Sequence, residues 1–421
     1  MLTYFLFFIY LFSGTILLHI IIRRYIFPFS IYHTMAILFF KIFMGCLYGW
    51  VFLHYYGGDD TWNYFNESKV ETGILIRHPL QFINEFLPSY SLKATDYHYG
   101  KAILFYIDHF ERWFLIKGLA FLNLLSGKNY YINVLWFEFL TIPGPLLLFK
   151  LLTKEFPLRS GMNFLLVFFI PSVIFWCSGI RAEGLLLLFM VLMIYNGKAY
   201  ARKPGIMRAL GILAGFTGLL LLRYQFLLVF LPAFLAYSAS LGNKESSPLY
   251  FNRIYIMAAL IFLASLFLPP AFQLSRPVQN AQESFFRLVG NTRYQLDSLK
   301  PGPLNFIKVL PQAAANSILR PYPWEGKNLL QSISSVDVLF LIAGLIYFFA
   351  SPRYKEQINH PVFWLFLFYA LSQLIGIGLA VPFPGAIVRY RSIAFLLLAL
   401  FLYAGNPHMQ QKLRYWIFNL H

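Results

Sequence analysis

Apolar runs of close to twenty residues follow one another along the whole chain, separated mostly by short polar loops. A helix needs roughly 20 such residues to cross the hydrocarbon core of a bilayer. The runs are continuous rather than alternating, which excludes a membrane β-barrel. Eleven spans are predicted, at about 3–22, 34–56, 131–152, 162–180, 183–200, 206–222, 225–241, 254–272, 335–350, 361–382 and 390–405. The expected fold class is an all-α polytopic membrane protein, a single integral-membrane domain over residues 1–421. Two long loops, 57–130 and 273–334, interrupt the pattern. The first holds an amphipathic stretch, about 108–126, with Phe110, Trp113, Phe114, Phe121 and Leu124 set among Arg112, Lys117 and Asn123. That pattern predicts a helix lying in the interface. The first apolar run lacks a basic leader and a small-residue cleavage site, so it is expected to be a retained helix.

Charge fixes an orientation. The chain has 34 Lys and Arg against 17 Asp and Glu, a net charge of +17. In a soluble protein this would point to nucleic acid. Here much of it falls in short loops on one side: Arg23-Arg24, Lys154 and Arg159, Lys198 to Arg208, Lys244 and Arg253, Arg353 and Lys355, Lys412 and Arg414. Basic short loops stay in the cytoplasm. The N-terminus and both long loops are then expected outside and the C-terminus inside, and nucleic acid is not an expected partner. Cys46 and Cys177 lie within apolar runs and suggest no disulfide framework.

The candidate chemistry lies on the outer side. Gly57-Gly-Asp-Asp-Thr-Trp62 begins where the second span ends. Asp59 and Asp60 could act as a general base; a Gly-Gly-Asp-Asp run is also a common helix-capping turn. Arg181 and Glu183 fall at one outer turn, Arg223 at the next, Arg320, Trp324 and Glu325 in the second long loop, and Arg389 and Arg391 at the start of the last span. Charges at span ends facing a cavity usually mark a pathway or site. Arginine forks suit a phosphate, so Arg181, Arg223, Arg320 and Arg389 are predicted to converge on one lipid phosphate, with Glu183, Trp324, Glu325 and Arg391 lining the pocket. Arg223 and Arg389 are the preferred pair, having no acidic neighbour in sequence. Structural readings compete: Arg181 can pair with Glu183, Arg389 and Arg391 can snorkel, and the 320–325 run can be an interfacial aromatic anchor. Lys41, inside the second run, either snorkels or pairs within the bundle. His98 is a loop histidine rather than a metal ligand. The P-loop, the GxGxxG turn, the nucleophile elbow and the zinc pattern are all absent, which argues against a nucleotide-driven pump or a serine hydrolase.

With its acidic pair opening the first outer loop, the amphipathic stretch leading to Gly127-Lys-Asn-Tyr130, the run Pro171-Ser-Val-Ile-Phe-Trp-Cys-Ser-Gly-Ile-Arg-Ala-Glu183, and the segments Arg320-Pro-Tyr-Pro-Trp-Glu325 and Val388-Arg-Tyr-Arg391, the chain resembles the GT-C class of integral-membrane glycosyltransferases. The acidic pair here follows the second span rather than the first. The resemblance implies a base at Asp59 or Asp60 and a polyprenyl-phosphate sugar as donor. It further implies inverting transfer to a hydroxyl of a glycan, lipid or protein acceptor, on the periplasmic side of a bacterial inner membrane. A divalent metal bridging Asp59, Asp60 and the phosphate is compatible with that chemistry and not required by it. The competing functions are an O-antigen-type polymerase or ligase and a lipid-linked sugar flippase or other transporter. A transporter would place its charges near the bilayer midplane.

Overall fold

The computed structural model describes residues 2–86, 99–242, 247–269, 272–290, 292–300, 302–326, 329–350, 360–403 and 407–418, and every regular element among them is helical. His98, Lys244, Arg353 and Lys355 lie outside the described residues.

Two apolar helices come first, α1 (Leu2–Tyr25) and α2 (Ile31–His54), the second capped by Ser30. Beyond α2 the chain reverses on Gly57 and Gly58, at φ of 74° and 114°. Only glycine enters that region without steric cost. The reversal delivers Asp59 as the N-cap of α3 (Asp60–Arg77), with its Oδ1 accepting from the Thr61 amide at 3.0 Å. After the short α4 (Pro79–Asn84), α5 (Tyr99–Ser126) packs along α3. The amphipathic stretch expected as an interfacial helix is therefore the larger part of a helix that packs on α3. A polar ladder joins the two: Arg112 meets Glu67, Lys117 meets Glu71, and Asn123 donates to Ser68 and Thr72.

The next segments are α6 (Tyr130–Thr141), capped by Asn129, and α7 (Pro143–Glu155), which together make one candidate span. Proline at 171 breaks the following span into α8 (Ser160–Phe169) and α9 (Pro171–Ser178), with the chain bent by 49° between them. Pro171 has no N–H for the helical ladder, so a break there is expected. Then come α10 (Ala182–Arg202), α11 (Ile206–Ser240), α12 (Ser247–Ser265), α13 (Arg276–Arg287) and α14 (Pro303–Ala314). The C-terminal part holds α15 (Leu329–Ala350), α16 (Pro361–Ala380), the pair α17 (Pro384–Tyr390) and α18 (Ser392–Leu402) bent by 58°, and α19 (Pro407–Phe418).

Among the described residues, eight helices are long and apolar enough to cross a membrane, or ten spans if each bent pair counts as one. The chain is thus an all-helical, multi-pass membrane protein by length and composition, with a count short of the predicted eleven. The difference lies at 206–241. Two predicted spans there form the single 35-residue α11, interrupted only at Arg223, whose backbone is extended (φ −161°, ψ 85°). No polar loop separates the two apolar halves, so the helix resumes at once.

The described chain divides into two compact units. In the first (Met1–Ser160, Val167–Gly197, Pro204–Leu227), α2 packs against α1, α6 and α9, while α3 packs against α5. In the second (Gly161–Leu166, Lys198–Lys203, Leu228–His421), α16 packs against α13, α14 and α18, and Gln282 ties α13 to the Leu379 carbonyl and the Leu299 amide.

Candidate active site

The first unit gathers carboxylates and arginines where α2 ends and α10 begins. Asp59 uses its two oxygens differently. Oδ1 caps α3; Oδ2 accepts from the Tyr48 hydroxyl at 3.3 Å and lies 4.0 Å from Arg181 Nη1. The capping reading is met by Oδ1, which leaves Oδ2 facing Tyr48 and Arg181. Burial pushes the Asp59 carboxyl above the ordinary aspartate value; Arg181 and the Thr61 amide pull it down, Asp60 adds to the rise, and Tyr48 lowers it slightly. Asp60, at the first position of α3, is open, with 59% of its side chain exposed, and accepts from Arg181 Nη1 at 2.8 Å.

Arg181 itself is buried. It sits on the non-helical turn Gly179–Arg181, between α9 and α10. The hydroxyl of Thr61 donates to the Ile180 carbonyl at 3.2 Å and contacts the Tyr130 hydroxyl at 3.1 Å. Trp62 stacks on Tyr130 with centroids 4.0 Å apart and donates to the Gly49 carbonyl. The absent Cβ of Gly49 leaves the space that the Tyr130 ring fills. Tyr48, Trp62 and Tyr130 thereby make an aromatic wall behind Asp59.

Arg223 joins this group, with Nη2 3.0 Å from Glu111 and Nη1 3.4 Å from Glu183. Its lack of an acidic sequence neighbour therefore did not leave it unneutralised: both acids come from other helices. Glu183 pairs with Arg223 and Arg181 pairs with Asp60, while Glu183 also acts electrostatically on Arg181. Tyr64, one turn along α3 from Asp60, has its phenol pushed up to about 12 by burial and then by Asp60 and Glu111, and so stays a neutral donor. Asp59, Asp60, Glu111 and Glu183 outnumber Arg181 and Arg223. Among the described residues no three His, Cys, Asp or Glu gather as a metal site.

The second unit holds its own cluster. Arg320 pairs with Glu325 at 3.1 Å, donates to Asn316 Oδ1, and lies over the rings of Tyr294 and Tyr322. Burial raises the Tyr294 phenol to about 12, and Glu325 adds to the rise. Trp324 is exposed and stacks on Tyr322. Arg391 is buried and donates to the Ser317 and Arg320 carbonyls at 2.9 and 2.6 Å, which makes it a brace for the backbone that carries Arg320. Arg389 donates to the Tyr390 hydroxyl and lies over its ring.

Within one unit, then, the structure brings together Asp59, Asp60, Arg181, Glu183 and Arg223; within the other it brings together Arg320, Trp324, Glu325 and Arg391. Sequence reasoning missed Tyr48, Thr61, Tyr64, Glu111 and Tyr130. Thr61 sits inside the Gly57–Trp62 motif and Tyr130 closes the run Gly127-Lys-Asn-Tyr130, but neither was assigned a role there; Tyr48, Tyr64 and Glu111 carry no sequence signal. Compared with known protein families, curated proteins and solved structures, the chain matches none.

Proposed function

We propose that the protein is a membrane glycosyltransferase of the GT-C kind, moving a sugar from a polyprenyl-phosphate donor to an acceptor hydroxyl at the extracytoplasmic face of a bacterial inner membrane. The observation that supports this most is the Asp59–Asp60–Arg181 group at the end of a membrane helix. It combines a carboxylate whose proton affinity is raised by burial with a cation 4.0 Å away.

In this reading Asp59 is the base and Asp60 holds Arg181. The acceptor oxygen attacks the anomeric carbon as Asp59 takes its proton. The bond from that carbon to the phosphate oxygen breaks, and the lipid phosphate leaves as an anion. A phosphate needs cationic neutralisation rather than a proton to depart. Arg181, which pairs with Asp60, and Arg223, which pairs with Glu111 and Glu183, are proposed as the neutralising cations. The runner-up, an O-antigen-type polymerase or ligase, does not require the acidic pair.

The eleven-span topology belongs to the same proposal. The first arm of α11 runs antiparallel to α10: Gly211 meets Asn196, Gly218 meets Phe189, and Arg223 reaches Glu183. Residues 206–222 rise about 25 Å, close to the roughly 30 Å of hydrocarbon core. One arm suffices for a crossing, and Arg223 then lies at the same face as Asp60.

The test is the double variant Asp59→Asn/Asp60→Asn in purified full-length protein, given radiolabelled polyprenyl-phosphate hexose and isolated membranes as the source of acceptor. Loss of a positioned base costs roughly 10²–10⁴-fold in rate. Retained full transfer would remove the mechanism.

A further inference from the structure

Lys41 and Glu138 are both buried within the spans, in α2 and α6, with Nζ and Oε2 2.5 Å apart. Neither touches the acidic pair. Lys41 has a second engagement. Its ammonium donates to the Cys177 carbonyl at 3.2 Å and to the Ser178 hydroxyl at 3.3 Å. Those residues are the last turn of α9, where helix carbonyls lose their internal donors. Inside a bilayer no water replaces them.

The three residues after Ser178 carry Arg181. Gly179 is extended, and the Arg181 amide donates back to its carbonyl at 2.7 Å. The Ile180 carbonyl takes the Thr61 hydroxyl. A side chain on Gly45 would collide with the Ser178 carbonyl and with Glu138, and one on Gly179 with the Tyr48 ring. The stripe Lys41, Gly45 and Tyr48 on α2 is therefore a seat for the end of α9 and the turn beyond it. Lys41 is the donor at one end of this turn, Thr61 the donor at the other, and Arg181 is what the turn delivers to Asp60.

We infer that the Lys41–Glu138 pair is a positioning device for Arg181: Lys41 holds the end of α9, and Glu138 supplies the charge that lets a lysine be buried there. This rests on the glycosyl-transfer reading for its kinetic test and on geometry alone for its structural one. A buried pair with only a structural role can be replaced by apolar residues at little cost, or with a gain, in stability. A pair that holds the turn cannot be replaced without moving Arg181.

Lys41→Met alone strands Glu138 as an uncompensated buried charge and is expected not to fold, so the decisive variant is Lys41→Met/Glu138→Leu. It is compared with the wild type, Arg181→Gln and their combination in a mutant cycle. The double variant should melt near the wild-type temperature and turn over at least about tenfold more slowly, since a misplacement of about 1 Å can cost on the order of 100-fold. Added to Arg181→Gln, it should cause no further loss, because both changes remove one interaction. Wild-type turnover, or losses that multiply, overturns the inference. A second measurement needs no turnover. In a Cys46→Ser background, N-ethylmaleimide should alkylate the buried Cys177 faster in Lys41→Met/Glu138→Leu than in the parent; an unchanged rate also overturns it. Faster alkylation alongside transfer that survives Asp59→Asn/Asp60→Asn would retain the role of Lys41 and reject the proposed reaction.

Discussion

At the scale of single residues, substitution can separate the cap that Asp59 makes on α3 from the base role proposed for it. Asparagine is as good an N-cap as aspartate, while alanine loses the cap at roughly 1 kcal/mol. Asp59→Asn should therefore leave the melting temperature nearly unchanged and remove transfer; Asp59→Ala should lower both. If Asn and Ala are equally destabilising, the Oδ1 cap to Thr61 does not hold α3. The pH dependence follows from the same group. The base must be deprotonated, and burial raises its pKa against the pull of Arg181. Activity should thus rise with pH along an acid limb centred above the ordinary aspartate value. Arg181→Gln removes a group that lowers that pKa and should move the limb to higher pH. A limb that stays put would mean that Asp59 does not titrate in the rate-determining form. The residues around Asp59 show why a sequence exposes only part of a site. Gly57-Gly58 announces a reversal in backbone terms, and two acids after it stand out in an apolar chain. Tyr48 and Tyr130 are two aromatics among many, and Glu111 is one polar residue on an amphipathic helix. Only their partners distinguish them.

At the scale of elements, the pairing of α3 with α5 sets where the acidic pair sits, because Asp60 is the first residue of α3. Its buried centre is Asn123, which donates to Ser68 and Thr72 and accepts from Asn133 Nδ2 at 2.7 Å. Asn123→Leu leaves those groups without their shared partner. Each unsatisfied buried polar group costs about 1–3 kcal/mol, so the variant should melt well below the wild type. A variant as stable as the wild type would mean that apolar packing alone joins the helices. The alternation of Phe110, Trp113 and Phe121 with charges made α5 legible as an amphipathic helix. Its partner was less legible, because α3 is polar overall and the ladder of Glu67, Glu71 and Ser68 reads like a solvated face. Lys41 and Glu138 are the reverse case. Each is a lone charge in an apolar run, and charges are almost never fully buried unless paired; the sequence left Lys41 either snorkelling or paired within the bundle, and nothing in it singled out Glu138 as the partner.

At the scale of the whole molecule, most spans were legible because a bilayer leaves no choice: every buried peptide group must bond internally, and only a long apolar helix does that alone. Residues 206–241 defeated this logic, since thirty-odd apolar residues fit either two short crossings or one long bent helix, and only Arg223 marks the midpoint. The first arm of α11 lies against α10, with Arg223 pairing with Glu183, and the eleven-span proposal takes the second arm as a further crossing. Topology decides the matter. With Cys46 and Cys177 replaced by serine, single cysteines are placed at the exposed positions Asn66, Lys203, Gly242 and Lys412 and treated in intact cells with a membrane-impermeant maleimide. Two crossings in α11 put 203 and 242 on the same side. With basic short loops inside, only position 66 should then react before the cells are opened. One crossing puts 203 and 242 on opposite sides and reverses every later loop, including 412. Labelling of 242 but not 203 would reduce the count to ten. Labelling of 203, 242 and 412 with protection of 66 would put the acidic pair in the cytoplasm, where the periplasmic reaction proposed for it could not take place.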